Sequence, residues 1–193
     1  MSPPRNDTPS PSAPFDPALL DVLTESQRLG FLGDRAVVDA AAHSRRFAGA
    51  LEDVSGRVID IGAGGGLPGL VVAHDRPDLE LLLVDRRAKR TDFLQRSIRR
   101  LGWSDRIRVE AADVRQLIQR GITGDAVIAR GFGPPMETVG FAHQLTVPNG
   151  RIVISEPPAS DRWDDTELGR MGIVRMNHDD DGVVVFGVAR PTS

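Results

Sequence analysis

The chain has no cysteine, no tyrosine and a single lysine, Lys89, against 23 arginines. Without cysteine there is no disulfide, no thiolate zinc site and no cysteine nucleophile, a composition that fits a reducing compartment. No metal is expected. Long apolar runs are missing as well. Stretches such as "LELLLV" fall far short of the roughly 20 residues that span a bilayer, and the N-terminus carries no apolar signal core. A cytoplasmic protein with no membrane partner is expected.

Net charge is −3, which disfavours a nonspecific nucleic-acid binder, but the charge is unevenly placed. Between Asp85 and Arg108 nine basic residues stand against three acidic ones. From Glu156 to Ser193 eight acidic residues stand against four arginines. One part of the sequence can attract phosphate while the other repels it, although the basic run also reads as a solvated helix face.

The 193 residues, 40 % hydrophobic and 26 % charged, suit one globular domain. Residues 1–14, "MSPPRNDTPSPSAP", hold five prolines and little that is apolar, so a disordered tail is expected there, with a single domain over 15–193. Asp16 and Pro17 form a cap-and-proline start for a helix stopping near Gly30, and a second helix is expected from Asp34 towards Leu51. From Arg57 onwards β-rich runs alternate with helical ones. "RVIDI", "LELLLV", "RIRVEA", "DAVIAR" and "GRIVISE" read as strands, with helices between them at 67–75, 89–101, 114–120 and 136–145. Alternation of this kind implies a parallel sheet covered on both faces. A short polar helix, "DRWDDTELGR", then precedes "GIVRMN" and "GVVVFGVA", which read as an antiparallel hairpin joined by "HDDD".

The first strand runs straight into "VIDIGAGGGLPGL", with five glycines between Gly62 and Gly69. Glycines in that place supply positive φ or clear space for a ligand at a helix N-terminus. Gly64, Gly66 and Gly69 satisfy the dinucleotide pattern G-x-G-x-x-G, with Asp85 at the end of strand 2 as a ribose acid. Against a nicotinamide reductase stand the lack of any tyrosine and of a His or Lys pair suited to hydride transfer. Three acids stand at three successive strand ends, Asp60, Asp85 and Asp113, an arrangement that resembles class I methyltransferases and so implies S-adenosylmethionine. A cationic sulfonium also needs no phosphate-binding Lys or Arg in the loop, and none lies between Asp60 and His74.

The D-x-G-x-G-x-G loop resembles motif I of class I methyltransferases, a Rossmann-like α/β fold. The resemblance implies a mostly parallel seven-stranded sheet ending in an antiparallel hairpin, preceded here by N-terminal helices. "DIGAGGGLPGL", "LLLVDRRAKRTDFLQRSIRRLG" and "DAVIARGFGPPMETVGFAHQL" are together similar to the bacterial 16S ribosomal RNA guanine-N7 methyltransferases of the glucose-inhibited division protein B family. Over residues 20 to 190 that resemblance implies S-adenosylmethionine as cofactor and ribosomal RNA or the small ribosomal subunit as partner. Carried over by position, it implies cofactor contacts for Asp60, Gly62, Gly64, Gly66, Leu67, Asp85, Ala112, Asp113 and Arg130. Lys89, Arg90, Arg130 and His43 become candidates for positioning substrate. No general base is needed, because guanine N7 offers a free lone pair and loses no proton.

Three departures from the family pattern bear on substrate. Ala111 replaces an arginine, Glu156 replaces a basic residue near the end of strand 5, and "HDDDG" replaces a turn that often carries Arg and His. Each reads as a loss of positive charge. Open alternatives are a relative that methylates a small molecule or another RNA, and a catalytically silent binder of cofactor or RNA.

Overall fold

Five runs rich in Val, Ile and Leu become parallel strands because helices cover both of their faces. In the computed structural model, which describes residues 14–157, 162–178 and 182–190, these are β1 (Arg57–Ile61), β2 (Glu80–Asp85), β3 (Ile107–Ala111), β4 (Gly124–Ala129) and β5 (Thr146–Ser155). β6 (Ile173–His178) and β7 (Val183–Val188) complete one seven-stranded sheet of order β3-β2-β1-β4-β5-β7-β6, in which β7 alone runs against its neighbours. The expected tail falls mostly in residues 1–13, outside the described residues, as do the three aspartates of "HDDDG".

Alternation along β1 sorts the core into two layers. Val58 packs with α1 (Pro17–Arg28), α2 (Val37–Gly49), α3 (Gly69–Asp75) and α4 (Ala88–Arg100), while Ile59 and Ile61 pack with α5 (Val114–Gln119), α6 (Pro135–Gln144) and α7 (Asp165–Arg170). Period two places Asp60 on the Val58 side, beneath α3. The chain leaves β1 for β2 and β3 in one direction and for β4 and β5 in the other. This reversal opens a crevice at the carboxyl ends of β1 and β4, where open α/β sheets bind ligands.

Helix ends follow local chemistry. Asp16 accepts the Ala18 N–H at 2.8 Å to start α1, and Gly30, at φ 73°, ends it: its N–H reaches Gln27 O while the Phe31 N–H reaches Ser26 O. α2 begins at Val37 rather than at Asp34, because the Gln27 amide donates to both Gly33 O and Arg35 O at 2.7 Å and holds that segment as a loop. β5 begins at Thr146, four residues before the expected start. A bulge between the Gly124–Thr146 and Ala126–Arg151 pairs accommodates Asn149 at φ 63°. α7 starts at Asp165, not at 161, capped by Asp164, which accepts the N–H groups of Thr166 and Glu167.

Candidate cofactor and substrate site

β1 delivers a wholly buried carboxylate to the base of the glycine loop. Asp60 Oδ2 accepts the Gly69 N–H at 3.0 Å, so the strand's acid is tied to the first residue of α3. A Cβ on Gly69 would lie 2.5 Å from that oxygen and 2.6 Å from Leu83 Cδ2, which explains the glycine by packing. Asp60 Oδ1 is buried with no hydrogen-bond partner among the described residues. Burial, with a smaller contribution from the Asp85 charge, pushes the carboxyl up to about 7, against the pull of the Gly69 N–H and Arg130. Between these residues the chain turns through Gly62 at φ 73° and Gly64 at φ 55°, left-handed conformations that favour glycine.

Asp85, at the end of β2, closes the loop from the other side. Its Oδ2 accepts the Gly64 N–H at 3.0 Å and lies 3.5 Å from Arg90 Nη1, while Oδ1 accepts the Arg87 N–H at 2.8 Å. These groups border a cavity of about 360 Å³ lined by Gly62, Asp85, Arg90, Ala112, Asp113 and Phe132 among others. Asp113 has a structural task as well. It caps α5 by accepting the Arg115 N–H, while the Gln116 side chain accepts the Asp113 N–H, a reciprocal capping box.

A second cavity of about 380 Å³ adjoins the first, with Gly131, Phe132 and Gly133 lining both. Arg35, His43, Arg130, Glu156 and Arg162 also border it. Arg130 Nη1 is buried with no hydrogen-bond partner among the described residues, and burial lowers the pKa of this guanidinium. His43 is likewise lowered, by burial first and then by Arg130, Arg46 and Arg35, which keeps it neutral near pH 7.

The reading of Glu156 as a lost positive charge needs correction. The side chain is buried, and it takes Arg162 Nε at 2.9 Å, Arg162 Nη2 at 3.2 Å and Trp163 Nε1 at 2.8 Å. Its negative charge is thus offset by an arginine six residues away that itself lines the cavity. Arg35 and Arg130 then leave this cavity with an excess of positive charge.

The site residues expected from the sequence divide by position. Gly62, Asp85, Ala112 and Asp113 line the first cavity. Asp60 and Leu67 are buried behind it, and Gly64 and Gly66 belong to the turn that supports it. Arg130 and His43 line the second cavity. Lys89 and Arg90 border a shallower cleft with Leu29, Phe31 and Arg87, and Arg90 belongs to the first cavity too. Sequence reading missed Phe132, Arg35 and the Glu156–Arg162 pair. Only Phe132 carried a local signal, an aromatic ring between two glycines at the end of a strand. Among the described residues no group of three or more His, Asp or Glu is placed to hold a metal, and no helix is long and apolar enough to cross a membrane.

Strand order, the single reversed strand and the position of the glycine loop define a Rossmann-like methyltransferase fold. Solved structures share it, and two of them illustrate the likeness. They are the O-methyltransferase TomG from Streptomyces achromogenes in complex with SAM (TM-score 0.68, 15% identity, 93% of this chain and 92% of that one) and cofactor-bound Rv0187 from MTB (TM-score 0.65, 18% identity, 90% of each). The profile of the GidB family, rRNA small subunit methyltransferase G, matches residues 22–158, and the chain belongs to that family. Ribosomal RNA small subunit methyltransferase G of Salinispora arenicola is 35% identical over 127 residues, covering 63% of this chain and 50% of the relative. Its counterpart in Cupriavidus necator is 36% identical over 123 residues, covering 63% and 52%. The chain spans about half the length of the curated relatives it matches.

Proposed function

We propose that the chain binds S-adenosylmethionine in the first cavity and methylates N7 of a guanine in small-subunit ribosomal RNA, presented from the second. The observation that carries this reading is the shared wall. A cavity bordered by an acid at a strand end meets a cavity of net positive charge at one loop, Gly131 to Gly133.

The donor set fits the group. Asp85 can accept ribose hydroxyls, Ala112 and Asp113 stand where an adenine ring would lie, and the bare backbone at Gly62 lets a ligand come close. When bound, the cofactor supplies a methyl group on a sulfonium, activated for transfer. Guanine N7 would offer a free lone pair to that methyl group and would lose no proton, so no residue of the chain has to act as a base. A neutral His43 is compatible with this, since nothing has to be deprotonated. Arg130 and Arg35 would hold phosphate or the base edge, and Lys89 and Arg90 would meet backbone phosphates further out, so catalysis rests on orientation and charge. A cytoplasmic site of action, on the ribosomal particle, is part of the same proposal.

The assay is methyl transfer to 16S rRNA, free and within small subunits taken from a strain that lacks the protein, with N7-methylguanosine as the readout. Transfer to the particle is expected to exceed transfer to naked RNA. Transfer to neither, with unchanged rRNA modification in the deletion strain, would overturn the proposal in favour of a small-molecule enzyme or a silent binder.

A further inference from the structure

Phe132 lies in the loop where the two cavities meet and lines both. The ring lies directly over the glycine loop: a Cβ on Gly62 would stand 2.7 Å from its Cδ2. Its other described ring partner is Phe141, edge-on with centroids 6.2 Å apart and planes at 84°. Phe132 is only half-buried although it is attached to the second core layer. Its neighbours are both glycines. Gly131 has φ 59° and open space where a side chain would stand, and a Cβ on Gly133 would meet only Thr138 Oγ1, at 3.7 Å.

A half-exposed aromatic ring beside cations is the usual equipment for holding an unstacked base. The ring offers a π-face that any base can cover, while arginines hold the flanking phosphate. Within the proposed reaction, on which this inference rests, we propose that Phe132 is the positioning residue for the acceptor base. The guanine stacks on the ring from the second cavity, and the ring's place over Gly62 turns the N7 edge towards the first. N7-methylguanine, which carries a positive charge, stacks on the same face as the product leaves.

Three variants separate stacking from space-filling. Phe132→Leu keeps an apolar wall without a π-face, whereas Phe132→Tyr and Phe132→Trp keep the face. With small subunits as substrate, Phe132→Leu is expected to raise KM about tenfold, the effect of losing one base–aromatic stack, while the Tyr and Trp variants stay near wild type. Because Phe132 also lines the first cavity, S-adenosylhomocysteine affinity is measured on all three variants, and a loss in Phe132→Leu as large as its change in KM would overturn the stacking role. Titration of Phe132→Trp with N7-methylguanosine 5′-monophosphate is expected to quench its fluorescence beyond the response of the wild type, whose Trp103 and Trp163 give the background. A Phe132→Leu variant with wild-type KM, or a Trp variant with no added quench, would overturn the stacking role. Failure of the wild type to methylate small subunits would instead overturn the proposed reaction, and the quench would still report on Phe132.

Discussion

The two cavities that meet at Phe132 are built in opposite ways. The first is assembled from the loops that follow β1, β2, β3 and β4 in turn, and the acids ending β1 and β2 are tied to backbone: Asp60 holds Gly69, and Asp85 holds Gly64 and Arg87. The second gathers side chains from distant segments, Arg35 before α2, His43 within it, Arg130 after β4 and Glu156 after β5. The first is preorganised by backbone hydrogen bonds, and a ligand there meets a fixed shape. The second is held by side chains, with an orphaned guanidinium nitrogen on Arg130, and a ligand there completes the site. This contrast suits a small resident cofactor on one side and a large transient partner on the other.

The largest expected effect tests how far the first cavity is strained by its own acid. Asp60 has its folded-state pKa raised from 3.8 to about 7, so between about pH 4 and pH 7 the folded chain keeps a proton that the unfolded chain has lost. Stability must then fall as pH rises through that window and level off above it. Asp60→Asn removes the titration while keeping an acceptor for Gly69. The wild type is expected to lose up to about 4 kcal/mol relative to this variant between pH 4 and pH 8, read by urea unfolding at each pH. A constant difference would show that Asp60 is ionised throughout.

Next comes the close packing beneath the loop. Gly69→Ala drives a methyl group into Asp60 and Leu83, both fully buried, and is expected to cost about 3 kcal/mol of stability. Calorimetric unfolding would measure it, and a loss under about 0.5 kcal/mol, the scatter of neutral substitutions, would mean that the loop relaxes. Asp85→Ala follows at about 2 kcal/mol of S-adenosylhomocysteine binding, because a charge-assisted acceptor is lost together with the latch on Gly64. Titration calorimetry would register this as a roughly thirtyfold weaker Kd.

The same contrast decides what could be read from the sequence. The strands were legible because short runs rich in Val, Ile and Leu, glycines and strand-end acids are local signals, and most of the first cavity was legible with them because each of its segments follows such a strand end. Boundaries slipped where a distant side chain or a bulge intervened: Gln27 delays α2, and the Asn149 bulge lengthens β5. The second cavity was largely illegible. Glu156 looks like an added negative charge until Arg162 and Trp163 are seen to share it, and nothing in the sequence around Arg35 points to His43. Side chains that meet only through the fold leave no spacing to find.

The smallest expected effect concerns the outer cleft beside the first cavity, where Lys89 and Arg90 lie in the first turn of α4. Lys89 is exposed and borders only the outer cleft, whereas Arg90 is partly buried and reaches Asp85 Oδ2 at 3.5 Å. The two residues are therefore not equivalent, although they are adjacent in the basic run. If both meet phosphate, Lys89→Ala is expected to weaken RNA binding a few-fold at physiological salt, to reduce the slope of log K against log salt by about 1, and to leave cofactor affinity unchanged. Arg90→Ala is expected to reduce the slope similarly and also to weaken S-adenosylhomocysteine binding a few-fold, since it removes a cation from beside Asp85. Filter binding across a salt series, with calorimetry on the same variants, separates the two outcomes. An unchanged slope in both variants would assign the basic face of α4 to solvent and leave Arg35, Arg130 and Arg162 to carry the contact with RNA.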